Sequence, residues 1–198
     1  MTREADVARL RAMVMGAKPV PASSAIRDWF DAVALPTLKA QALSELCRRD
    51  HFPPRLIGYM EDGGTVPVDV ADAMGGTFGD ARTKNAAAFV HKLTALLPGC
   101  KASVLCVETW ALSATPAEPL DSIAKHPDRE EAVMVNMLHH DHKTGGLMQL
   151  VALLKVIKVL SANPTATTWA GTKFGECSIV DPMATAGRFS GRFTVRDA

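Results

Sequence analysis

The periodicity of apolar residues changes near Pro54, and this change constrains the fold more than any other feature of the sequence. Before it, apolar residues recur every three to four positions, as in helices; after it, several stretches alternate apolar and polar residues, as in strands. The first part predicts three short helices between residues 2 and 50. We expect the second of these to end at Pro36 and the third to begin at Thr37, a residue suited to capping.

Five segments after residue 53 carry secondary-structure signals. They predict a β-hairpin over 55–70, a helix over 81–97 and strands over 101–113, 131–141 and 147–154. The apolar spacing in the last segment also fits a helix, and we interpret it as a strand because a Gly-Gly turn joins it to the preceding strand.

The order β-β-α-β-β-β predicts a mostly antiparallel sheet with helix 81–97 packed on one face. We therefore expect an α+β protein, with a helical N-terminal region over residues 1–52 and a sheet domain over residues 53–198. A chain of this length needs no disulfides to stabilise its core.

Composition excludes several classes of protein. The 22 basic and 21 acidic residues give a net charge of +1, without the basic excess typical of proteins that bind nucleic acid. The most apolar stretch, 147–160, is shorter than the roughly 20 residues that a membrane-spanning helix needs. The four cysteines form no C-x-x-C pair and the N-terminus lacks an apolar signal region, so we expect a cytoplasmic protein.

Two short motifs carry a resemblance to known proteins. They are the strand Val107-Glu108-Thr109-Trp110 and the crossing His126-Pro127-Asp128-Arg129-Glu130-Glu131. Through them, residues 55–154 resemble a loose set of small uncharacterised proteins of bacteriophages and bacteria. The resemblance implies an α+β fold and a phage origin, with the host cytoplasm or the virion as location, but no activity.

The segment His139-His140-Asp141-His142 is the densest group of residues able to bind a metal ion. On a strand, His140 and His142 would project from the same face, and two imidazoles at that spacing can share zinc or another transition metal. A third ligand would have to come from elsewhere in the chain; the candidates are His126, Asp128 and Glu108. The alternative is a polar hairpin tip without a metal.

Two carboxylates are candidates for catalysis. Glu108 lies within an apolar strand, where burial would raise its pKa and make it a general acid. It could instead face solvent on a half-covered sheet or pair with Arg129. Asp141 is the second candidate, because it lies inside the histidine cluster.

Two functional hypotheses follow from these features. The first is a non-enzymatic interaction module without a cofactor, such as a phage particle component or a host-directed accessory protein. Trp29, Phe30 and Trp110 would contact a protein partner or a second copy of the chain, because aromatic residues are enriched at interfaces. The alternative is a metal-dependent hydrolase that uses the cluster His139–His142 and a divalent metal such as zinc.

Overall fold

One eight-stranded mixed sheet organises the part of the chain that this computed structural model describes, namely residues 3–49, 52–68, 81–112, 126–160, 169–184 and 194–195. Helices pack on both sides of the sheet, so the predicted α+β class is confirmed. The helical elements are α1 (Arg3–Gly16), α2 (Ser24–Trp29), a π-helical turn (Phe30–Ala34), α3 (Leu35–Arg49) and α4 (Ala81–Ala95). The strands are β1 (Lys18–Val20), β2 (Arg55–Met60), β3 (Thr65–Val68), β4 (Cys100–Ala111), β5 (Glu130–Asp141), β6 (Gly146–Leu160), β7 (Trp169–Val180) and β8 (Thr194–Val195).

The sheet is mostly antiparallel, as the sequence predicts. Its main strands lie in the order β3-β2-β4-β5-β6-β7, and every neighbouring pair among them is antiparallel. β8 extends the β2 side of β4, and β1 runs parallel to the start of β6. The segment 147–160 is part of strand β6, so the strand interpretation is confirmed and the helical one is wrong. In the described residues, no helix is long and apolar enough to span a membrane.

The first face of the sheet is covered by a helix that runs from α2 through the π-helical turn into α3. The expectation that Pro36 ends a helix is wrong. Proline lacks an N–H and crowds the carbonyl four residues earlier, and the π-helical turn ends two residues before it, at Ala34. Because the N–H of Leu35 donates to the carbonyl of Phe30, the helix widens there and continues past the proline. Thr37 lies inside α3, where its hydroxyl donates to the Val33 carbonyl at 3.1 Å, and it is not a cap.

The core beneath this helix is apolar. It contains Phe30 and Leu38 from the helix and Val104, Val133 and Leu150 from three strands. The N-terminal region, which also contributes strand β1 to the sheet, therefore shares one core with the later strands.

The second face is covered by α4, as predicted for helix 81–97. Ala87 of α4 packs against Leu56, Leu105 and Val107 of β2 and β4. Helix α1 packs on α4 and is mostly exposed; among its described side chains only Val14 is buried. Helices on both faces make a three-layered arrangement rather than the half-covered sheet expected from the sequence.

Candidate functional site

The turn that joins β5 to β6 is fixed by several hydrogen bonds of its own. The carboxylate of Asp141 accepts hydrogen bonds from the Lys143 N–H at 2.9 Å and from the Thr144 hydroxyl at 2.7 Å. The N–H of Gly145 closes the turn on the Asp141 carbonyl at 2.8 Å, and its φ of 70° suits glycine. The Thr144 hydroxyl, followed by the Lys143 N–H, lowers the pKa of Asp141, since both stabilise the ionised carboxylate.

Strand β1 supports this turn from the side. Lys18, Pro19 and Val20 pair in parallel with residues 146–148. A Cβ atom at Gly146 would lie 2.8 Å from Cγ2 of Val20, closer than such atoms approach, so β1 packs directly on the backbone of the turn. The turn is thus held by its own hydrogen bonds and by the N-terminal segment.

His140 and His142 meet at the end of β5. Their Nδ1 atoms lie 3.2 Å apart, and their rings are nearly perpendicular, with centroids 4.6 Å apart. One Nδ1 must carry a proton and donate to the other, so the contact holds at most one proton between the two nitrogens. Burial, and then the neighbouring His142 and His139, lower the pKa of His140 and favour its neutral form, although Asp141 opposes this shift.

His139 does not join this pair. Its Nδ1 hydrogen-bonds the carbonyl of Lys101 on the neighbouring strand. The Lys101 ammonium in turn lies 4.6 Å from the centroid of the Trp29 ring, a cation–π contact on the side of the sheet that α2 covers. Of the three clustered histidines, the structure therefore brings two together and fixes the third elsewhere.

The predicted third metal ligands are remote from the histidine pair. His126 and Asp128 precede β5, whereas His140 and His142 lie at its other end, and ten residues of extended strand span about 33 Å. The backbone N–H of Asp128 donates to Nδ1 of His126 at 3.1 Å, a local contact. Glu108 pairs with Val133, also far along β5. In the described residues, no group of three or more His, Cys, Asp or Glu side chains could hold a metal ion.

Glu108 is buried, with 4% of its surface exposed, so the expectation of a solvent-facing residue is wrong. Its Oε2 accepts a hydrogen bond from the N–H of Phe52 at 3.2 Å, where the chain enters the sheet. Residues directly opposite in a sheet share a face, and Glu108 lies opposite Val133 of the apolar core. A buried acceptor for a backbone donor is a structural role, because an unpaired N–H there would cost free energy.

The three aromatic residues predicted to bind a partner differ in exposure. Phe30 is fully buried, because the π-helical turn points it into the sheet core, so it is not available at a surface. Trp29 is half-buried and meets the edge of Tyr59, with ring centroids 5.3 Å apart. Trp110 is half-buried, and the Arg129 guanidinium lies 4.8 Å from its ring centroid.

Sequence reasoning missed His91, which is buried between α4 and β4. Its Nδ1 lies 2.8 Å from the hydroxyl of Ser103. Burial lowers the pKa of His91 to about 3, and the backbone of Asn136 offsets this only in part. Nε2 has no hydrogen-bond partner of normal geometry in the described residues. A single histidine within a helix gives no sequence signal for such a contact.

Asp181, just after β7, is the second residue that sequence reasoning missed. Its side chain is buried and forms an ion pair with Arg27 of α2. It also accepts hydrogen bonds from the N–H groups of Ala22, Met183 and Ala184, at 2.9, 2.9 and 3.1 Å. It therefore joins the start of α2 to the end of β7, a contact between distant segments that no local pattern predicts.

Comparisons with known proteins assign no family to this chain. No protein-family model matches it, and neither does any curated protein or solved structure. The resemblance of residues 55–154 to phage and bacterial proteins stays a prediction, and the function has to be inferred from the geometry above.

Proposed function

We propose that this chain is a non-enzymatic, metal-binding interaction protein in which His140 and His142 hold a divalent transition-metal ion. The distance of 3.2 Å between their Nδ1 atoms carries the proposal. Two nitrogens bound to a tetrahedral zinc ion at roughly 2.0–2.1 Å are about 3.3 Å apart. An ion can replace the shared proton after a small rotation of the two rings.

The surroundings of the pair favour metal binding over a simple polar contact. The lowered pKa of His140 favours its neutral form, which is the form that binds metal. The hydrogen bonds of Asp141 and the packing of Val20 on Gly146 fix the turn before any ion arrives. Imidazole nitrogens bind zinc, copper and nickel well, so we expect the site to bind one of these ions rather than calcium or magnesium.

A role in metal binding is better supported than a role as a metal-dependent hydrolase. A metal-dependent hydrolase needs a general acid or base beside the ion. The Asp141 carboxylate already accepts hydrogen bonds from the Lys143 N–H and the Thr144 hydroxyl. Glu108 is buried, accepts a hydrogen bond from the N–H of Phe52 and lies far along the sheet from the histidine pair. Two protein ligands also leave coordination positions open to another molecule, which supports an interaction role.

Metal titration of protein purified without a histidine tag tests the proposal. We expect saturable binding of Zn²⁺, Ni²⁺ and Cu²⁺ by isothermal titration calorimetry, with most of the affinity lost in His140→Ala and in His142→Ala. His126→Ala is the matched control, because His126 lies at the other end of β5 and should leave binding unchanged.

Circular dichroism before titration checks that each variant is folded. Binding that survives in the His140→Ala/His142→Ala double variant would contradict the proposal, as would an equal loss in the His126→Ala control. Ca²⁺ and Mg²⁺ should give no heat at the same concentrations, because these ions prefer oxygen ligands.

A further inference from the structure

Building on the proposed metal site, we infer that the bound ion joins two copies of this chain, with each copy contributing His140 and His142. The partner is therefore a second copy, and the contact is made by the tips of the two β5–β6 hairpins. This inference deepens the proposed function, because it specifies what fills the coordination positions that one chain leaves open.

The number of ligands is the first reason. Structural zinc sites are almost always four-coordinate, with every position filled by protein. One chain brings two nitrogens together, and its described residues offer no group of three metal-binding side chains. A two-fold axis through the ion supplies the missing pair, since a symmetric dimer presents the same patch from both copies.

The position of the pair is the second reason. His142, Lys143 and Thr144 are exposed at the tip of the hairpin, where a second molecule can approach. The loop itself carries one cation, Lys143, and one carboxylate, Asp141, and the exposed Lys18 of β1 lies beside it. Because both signs of charge are present, two tips avoid the repulsion that a single-sign patch would cause.

Association of the two tips should depend on the metal because the contact between them is small. Two hairpin tips bury far less than the roughly 1,200 Å² of a stable protein interface. Without the ion, the contact has little apolar area to hold it, because the exposed residues of the tip are polar. Association should therefore require the metal and reverse when the metal is removed.

Light scattering coupled to size-exclusion chromatography tests this inference, again with tag-free protein. We expect a monomer in EDTA and a dimer once Zn²⁺ reaches half an equivalent per chain, with one ion per two chains by elemental analysis of the dimer peak. His140→Ala and His142→Ala should remain monomeric with zinc, whereas His126→Ala should dimerise like the unchanged protein.

The outcomes separate this inference from the proposed function. One zinc ion bound per monomer without dimerisation would overturn the inference and leave the metal site standing. An absence of zinc binding would overturn both. A dimer that forms in EDTA, or in the His140→Ala/His142→Ala double variant, would place self-association on another surface and would also overturn the inference.

Discussion

The two faces of the sheet are packed with different kinds of side chain. The face beneath α2 and α3 is packed with apolar side chains, Phe30 and Val104 among them. The face beneath α4 also carries polar contacts, namely His91 with Ser103 and Gln149 with Asn136, the latter opposite Leu105 of that face. The first face therefore contributes hydrophobic free energy, and the second makes stability depend on the protonation and pairing of specific groups.

Buried carboxylates also occur on the apolar side, namely Asp181, which pairs with Arg27 of α2, and Glu108. Glu108 accepts a hydrogen bond from the N–H of Phe52 where the chain enters the sheet. Stability on this side therefore depends on packing at the centre of the face and on paired carboxylates at its margins.

The largest expected effect tests the apolar face. Phe30→Ala removes a fully buried ring and leaves a cavity, so the free energy of unfolding should fall by about 3–5 kcal/mol. Urea denaturation at pH 7.5 measures it. Val33→Ala is the control, because Val33 lies in the same π-helical turn but is 51% exposed, and its loss should be well below that of Phe30→Ala. Similar losses in the two variants would show that this face is not the main source of stability.

The second prediction concerns His91 on the polar face. Burial lowers the pKa of His91 to about 3 in the folded state, against about 6.5 for an ordinary histidine side chain. Between these two pH values the unfolded chain therefore binds one proton more than the folded chain. Stability contributed by the neutral form is thus complete above pH 6.5 and is lost as the pH falls toward 3. The slope from this residue should approach about 1.4 kcal/mol per pH unit.

Urea denaturation from pH 7.5 to 4.5 measures this slope. In His91→Gln the slope below pH 6.5 should shrink, because glutamine cannot titrate. His126→Gln, which changes a histidine outside the core, should keep it. An unchanged slope in His91→Gln would mean that other groups cause the acid sensitivity.

The smallest effect concerns the side-chain pair of β5 and β6. Gln149 donates to Asn136 at 2.9 Å in a partly buried position. A double-mutant cycle with Asn136→Ala and Gln149→Ala should give a coupling free energy of about 0.5–1.5 kcal/mol. A coupling near zero would reduce the difference between the two faces to the single contact of His91.

The sequence predicts the strands well because alternation is a local property. In β4 and β5, alternate residues face the two helical layers, as the spacing of Val104 and Cys106 indicated. The sequence-based prediction fails at Pro36, because a proline indicates a helix end unless the geometry of the preceding turn is known. The number of covered faces was also missed, because amphipathic helices do not specify which side of a sheet they cover.

The candidate site was predicted only in part, for the same reason. A two-residue spacing on a strand placed His140 and His142 on one face, and the structure brings them into contact. The proposed third ligands required a particular alignment of strands, and β5 separates His126 from the pair along its length. His91 and Asp181 gave no signal, because their partners are distant in sequence and lie on other elements.

The pairing of β1 with β6 has a consequence for how the chain folds. Residues 18–20 meet residues 146–148, so nearly two thirds of the chain lies in the loop that this contact closes. The β5–β6 hairpin closes a short loop and can form early, whereas β1 pays a large entropic cost before it gains any contact. We therefore expect β1 to dock late in folding, and the turn that carries the histidine pair to become rigid only at that final stage.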